Sequence, residues 1–235
     1  MVNMKKIILN QKSYLLYDEI IKFKSDLEKI KTNDYEFILF PSIQYLSLFN
    51  KSKIKVGSQN FYSVKTGSFT GEINLESLKD MGITYTLLGH YERRKIIGES
   101  YDDTKEKLYK SLSSRCNTIL CIGEDSKLKR DISYVKKELK YYLKSLESSS
   151  LKYLSIAYVP SHAMSEADKS VDSINKVVEF IRDYFEHKYD IKIDVYYGGY
   201  IENSNIKDIY NICDGLLFDT QSNDIKVIKE LLKEI

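Results

Sequence analysis

Short apolar runs rich in β-branched and aromatic side chains alternate along this chain with longer stretches of helical period. Eight runs can be marked, at Ile7–Leu9, Glu36–Phe40, Lys55–Ser58, Tyr85–Leu88, Thr118–Ile122, Leu154–Tyr158, Asp194–Tyr197 and Gly215–Phe218. Between them lie apolar stripes about one helical face wide: Leu15, Leu16, Ile20, Ile21 and Phe23 in the first, Val135, Leu139, Tyr142 and Leu143 in the fifth, Val177, Val178, Ile181 and Phe185 in the sixth. Strand-like runs separated by helices laid on them predict a parallel sheet.

The punctuation agrees with that register. Asn74 and Asn203 fall where following helices need a cap, Pro41 stands where a second helix would start, and Gly82 follows a helical stretch ending at Met81. No Gly-x-Gly-x-x-Gly fingerprint follows the first run, so eight repeats fit a closed (β/α)8 barrel better than an open doubly wound sheet. No linker or low-complexity tract divides the chain, and residues 1–235 read as a single α/β domain.

Composition narrows the partners. With 36 Lys and Arg against 34 Asp and Glu the formal charge is +2, which gives no footprint for nucleic acid or an anionic membrane. No apolar stretch approaches the ~18 residues of a membrane span, and the first apolar run is too short for a signal-peptide core. Cys116, Cys121 and Cys213 have no Cys-x-x-Cys spacing and read as buried free thiols of a reducing compartment. A cytoplasmic protein without metal or cofactor is expected.

In a barrel the chemistry gathers where strands end and loops begin. The residues there are Asn10-Gln11-Lys12 after the first run, Gln59-Asn60 after the third, His90 and Glu92 after the fourth, Gly123-Glu124 after the fifth, Gly198-Gly199 after the seventh and Asp219 after the eighth. Any one of them alone is an ordinary solvated loop residue. Six of eight runs converging on one rim predict a pocket.

Several of these segments resemble triosephosphate isomerase. Leu88-Gly89-His90-Tyr91-Glu92-Arg93-Arg94 with Gly98-Glu99 is similar to that family's Gly-His-Ser-Glu-Arg-Arg and Gly-Glu, with only the serine changed, to Tyr91. Asn10-x-Lys12 matches its Asn-x-Lys, and the resemblance continues to the last strand. It implies a catalytic His90 kept neutral by a helix N-terminus so as to polarise a carbonyl, and a Lys12 whose charge steadies an anionic substrate and the developing oxyanion. It further implies that Glu92 pairs with the lysine and that Arg93 reaches Glu72. The segment Gly67-Ser68-Phe69-Thr70-Gly71-Glu72 resembles the loop that enters a partner subunit, which implies a homodimer through Gly67, Phe69 and Thr70. Cys121-Ile122-Gly123-Glu124 also matches, as support for the rim.

The likeness fails at four places on the rim. Where the family has Ala-Tyr-Glu-Pro, with a glutamate that shuttles the proton, this chain has Ala157-Tyr158-Val159-Pro160. The family's lid, Val-Trp-Ala-Ile-Gly-Thr-Gly, becomes Ser161-His162-Ala163-Met164-Ser165-Glu166-Ala167, without a glycine to let the backbone approach an anion. Gly-Gly-Ser becomes Gly198-Gly199-Tyr200, and a second Gly-Gly becomes Asp219-Thr220. The expectation is therefore an isomerase scaffold with its activity lost or severely impaired, keeping an Asn10, Lys12 and His90 pocket for a small ligand such as a sugar phosphate, with Gly198, Gly199, Tyr200 and Asp219 as the altered binding residues. The alternative is an active triosephosphate or related sugar isomerase in which His162, Glu166 or Asp219 replaces the base.

Overall fold

The computed structural model describes residues 4–32, 34–124, 131–161 and 170–235. Eight parallel strands close into a barrel in chain order, each hydrogen-bonded to the next and the last to the first. They are β1 (Lys5–Asn10), β2 (Tyr35–Phe40), β3 (Lys55–Ser58), β4 (Tyr85–Leu88), β5 (Asn117–Ile122), β6 (Leu154–Tyr158), β7 (Val195–Tyr197) and β8 (Gly215–Phe218). The helices are α1 (Tyr17–Leu27), α2 (Leu75–Asp80), α3 (Tyr91–Lys95), α4 (Tyr101–Ser113), α5 (Ile132–Tyr142), α6 (Val171–Tyr189), α7 (Ile206–Ile212) and α8 (Ile225–Leu231). The (β/α)8 architecture expected from the eight runs is present.

Alternation along the strands produces two apolar layers. One set of side chains, among them Ile7, Leu9, Leu39, Leu120 and Leu216, packs outward beneath the helices. The other fills the barrel: Ile8, Ile38, Phe40, Leu87, Ile119, Cys121, Ala157, Val159, Tyr196 and Leu217. Gly57 belongs to this inner layer by necessity, because a Cβ there would lie 2.3 Å from the Phe40 ring. All three cysteines are free and buried, and burial pushes the Cys116 and Cys213 thiols up to about 11 and about 12.

Local details correct three of the expectations. In α1 the buried stripe is Ile20, Phe23 and Leu27, whereas Leu16 and Ile21 are exposed. Leu16 is the residue before the first helical turn, and Ile21 sits about 100° round the helix from Ile20. Pro41 starts no α-helix; Ser42 leads instead into a tight 3-10 segment, Ile43–Phe49. Asn203 caps nothing, and the residue before α7 is Asn205, whose amide ties the loop by accepting from the Glu202 N–H and donating to the Tyr200 carbonyl. Asn74 does cap α2 through the Ser77 N–H, and Gly82, at φ +80°, closes the following turn.

Candidate active site

The register of β1 and β8 pairs Leu9 with Phe218, so the next residues on each, Asn10 and Asp219, emerge side by side at the carboxyl end of the barrel. Asn10 Nδ2 donates to Asp219 Oδ1 at 2.7 Å. His90, delivered by β4, brings its Nε2 to 3.2 Å from both Asp219 oxygens. Lys12 Nζ lies 3.8 Å from Oδ2. Burial works against ionisation of Asp219, but the hydrogen bond from His90, the Lys12 charge and the Asn10 amide outweigh it and hold the carboxyl below its ordinary value. The turn after β8 fixes the aim: Ser222 N–H donates to the Asp219 carbonyl and Ser222 Oγ to the Asn10 carbonyl.

His90 stands directly before α3, and its Nδ1 accepts the Glu92 backbone N–H at 3.3 Å. A ring nitrogen facing a donor at a helix N-terminus has no room for a proton of its own, so the Nε2–H tautomer is assigned, with that hydrogen directed at Asp219. Lys12 pairs with Glu92 at 2.6 Å, as the resemblance implied. Its backbone lies in the left-handed region at φ +54°, a strain of ~1–3 kcal/mol for a non-glycine residue. Ser42 Oγ and Gln59 Nε2 both donate to the Lys12 carbonyl and hold that turn.

The other half of the rim is hydrocarbon. Val159, the residue after β6, is 3% exposed and completes the inner-layer alternation that begins at Ala157. Its N–H bonds the Ile122 carbonyl, and the Gly198 N–H bonds the Tyr158 carbonyl, which fixes the register without a shift. A Cβ on Gly198 would stand 3.0 Å from Val159 Cγ2, and one on Gly123 would stand 2.7 Å from the Val159 carbonyl group. The valine is thus enclosed on both sides by strand ends that only glycine lets approach. Tyr200, beyond Gly198-Gly199, turns its hydroxyl to Glu202 at 2.9 Å.

A buried ion network props up the polar half. Arg93 does not bond Glu72; its Nε donates to Glu99 at 2.5 Å, and Lys107 reaches the same carboxylate oxygen at 2.8 Å while also bonding Asn60. Glu99 follows α3 closely enough for Arg93 to fold back to it, whereas Glu72 is exposed on the loop before α2. Burial raises the Glu99 carboxyl, but its two cations draw it lower than an ordinary glutamate. Arg94 bonds Glu138 of α5, whose second oxygen accepts the Gly123 N–H. Glu124 accepts the Tyr158 hydroxyl and the Asp131 N–H. Lys107, Ser42, Ser222 and Glu138 carried no sequence signal, since each is an ordinary helix or loop residue until the barrel closes.

Asn10, Lys12, His90 and Glu92 line one side of a cleft of about 640 Å³ whose other walls include Ser42, Gln44, Gln59 and Asn60. Gly198, Gly199, Tyr200 and Asp219 are not among its lining residues. His162 and Glu166 fall outside the described residues. Among the described residues no group of three or more His, Cys, Asp or Glu side chains is gathered as for a metal ion, and no helix is long and apolar enough to cross a membrane.

A closed barrel of eight parallel strands with its polar side chains gathered at the carboxyl ends of β1, β4 and β8 has the layout of a (β/α)8-barrel enzyme. The chain belongs to the triosephosphate isomerase family, whose model matches residues 5–235. It is similar to the triosephosphate isomerase of Alkaliphilus metalliredigens, 32% identical over 206 residues that cover 82% of this chain and 83% of that one. The triosephosphate isomerases of Wigglesworthia glossinidia brevipalpis and Campylobacter concisus are each 34% identical, covering 85% and 84% of this chain and 83% and 84% of their own.

Proposed function

We propose that this member of the family has lost, or retains only weakly, the interconversion of glyceraldehyde 3-phosphate and dihydroxyacetone phosphate, and keeps a pocket of Asn10, Lys12, His90 and Glu92 for a small ligand. The observation that carries this reading is the burial of Val159 in the hydrocarbon of the inner layer, where the resemblance calls for a carboxylate. A general base contributes ~100- to 10,000-fold, about 3 to 5 kcal/mol of barrier, and a valine contributes none of it. Asn10, Lys12 and His90 are gathered on one side of the rim, and among the described residues the position of the family's base holds a hydrocarbon side chain. A coupled assay with glyceraldehyde 3-phosphate, on protein purified from a host lacking its own isomerase, tests this: turnover within ~10-fold of ordinary members contradicts the reading.

A second reading has one observation in its favour, the Asp219 carboxylate at 3.2 Å from His90 Nε2. As a replacement base in a triosephosphate or related sugar isomerase it is poorly matched. Its proton affinity is held below that of an ordinary aspartate, and both oxygens are already engaged. If wild-type turnover is found and Asp219→Asn abolishes it, this second reading replaces the first.

The homodimer is proposed on the same family likeness, with Gly67, Phe69 and Thr70 at the contact. Supporting it, these three residues are exposed, and so are Ile96 and Ile97 at the mouth of the cleft. Light scattering giving the mass of a single chain contradicts it. A cytoplasmic location is proposed from the cysteine usage and the absence of a spanning helix among the described residues.

A further inference from the structure

Three donors on one strand and two loops, Asn10 Nδ2, His90 Nε2 and Lys12 Nζ, converge on one point at the rim, 2.7 to 3.8 Å from the oxygens they face. A neutral amide, an imidazole N–H and an ammonium aimed at one spot make a receptor for a small oxyanion. The point is taken by a group of the chain itself. We propose that the Asp219 carboxylate is the internal occupant of this oxyanion subsite and sets the pocket's specificity against phosphate and other small anions.

Charge and geometry both support it. Among the described residues Lys12 is the one Lys or Arg paired with these two carboxylates, Glu92 at 2.6 Å and Asp219 at 3.8 Å, so this pair of contacts leaves a surplus negative charge. An entering anion would meet that surplus in a place 7% exposed, where water screens little. Asp219 is not spent elsewhere: it precedes the 3-10 turn Thr220–Asn223 without capping it. Ser222 instead anchors that turn to the Asn10 carbonyl, so the carboxylate and the amide that binds it are held as one unit. Removing the carboxylate leaves the donors facing the space it filled.

The proposal rests on the reading above only in taking the same pocket as the ligand site. Its test is titration with inorganic phosphate, by calorimetry and by the nitrogen NMR shift of His90 Nε2, on the wild type, Asp219→Asn, Asp219→Gly and Asp219→Gly with Lys12→Met. Phosphate is expected to bind Asp219→Gly at least ~100-fold more tightly than the wild type, with Asp219→Asn between them and the gain lost with Lys12→Met. Wild-type affinity within ~10-fold of Asp219→Gly overturns the proposal, as does a gain indifferent to Lys12. Should Asp219→Gly fail to fold, equal affinities of the wild type and the near-isosteric Asp219→Asn overturn it instead. An inactive wild type that binds phosphate through Lys12 sinks this inference and leaves the functional reading standing; an active wild type that binds no phosphate does the reverse.

Discussion

The two halves of the rim are built on the same strands and differ in kind. From β8 through β1 to β4 the strand ends present Asp219, Asn10, Lys12 and His90, joined by hydrogen bonds of 2.7 to 3.2 Å and by the Lys12–Asp219 ion pair at 3.8 Å. From β6 to β7 they present Val159, continuous with the inner apolar layer, and Gly198, where a Cβ would stand 3.0 Å from the valine methyl. On the function proposed above, the difference teaches that a polar, polarising half can persist while the position that would move the proton joins the core. Polar residues there are tied to one another, so each is costly to remove singly; valine at the end of β6 costs nothing to keep.

The sharpest way to break the contrast is to restore the missing half. Val159→Glu alone is expected to raise isomerase turnover less than ~10-fold, because Asp219 still fills the subsite. Combined with Asp219→Gly it is expected to gain ~100-fold over the wild type, the lower end of general-base effects. Equal rates for single and double variants contradict the account of Asp219.

Stability separates the halves next. Lys12→Met takes the cation from beside a buried carboxylate and should cost about 3 kcal/mol in urea unfolding, while Val159→Ala, which leaves only a small apolar void, should cost about 1 to 2 kcal/mol. The reverse order would mean that the polar half is not electrostatically coupled. A smaller effect appears with pH. Because the folded Asp219 carboxyl lies below its ordinary value, its stabilisation is present above about pH 4, the value of an unfolded aspartate, and is lost as pH falls through the folded value. The stability difference between wild type and Asp219→Asn, followed in urea from neutral pH downward, should therefore shrink below about pH 4. Smallest is Ser222→Ala, which removes one hydrogen bond to Asn10 and should cost about 1 kcal/mol.

Much of this was legible in the sequence. The eight strands could be placed because each is a short apolar run bounded by polar or glycine residues, and the Asn10-x-Lys12 and His90 segments could be placed because strand ends in a barrel converge on one rim. The resemblance points Arg93 at Glu72, but Glu72 and Glu99 are equivalent as carboxylates and only the fold decides that Glu99 comes within reach. The position of Asp219 against His90 depends on the β1 to β8 register, two hundred residues apart in sequence, which no local pattern carries. The Lys12 turn is hidden for the same reason: its left-handed backbone is held by Ser42 and Gln59 from neighbouring loops. Helix edges failed where one apolar residue looks like the next, as with Leu16 and Ile21.

The most direct test is the wild-type turnover of glyceraldehyde 3-phosphate, with deuterium uptake from heavy water followed by NMR so that even slow enolisation registers. Proton exchange no faster than in buffer containing Val159→Ala protein is the result expected of a site whose base is hydrocarbon. Exchange well above that, and abolished by His90→Gln, would show that a proton acceptor is present after all.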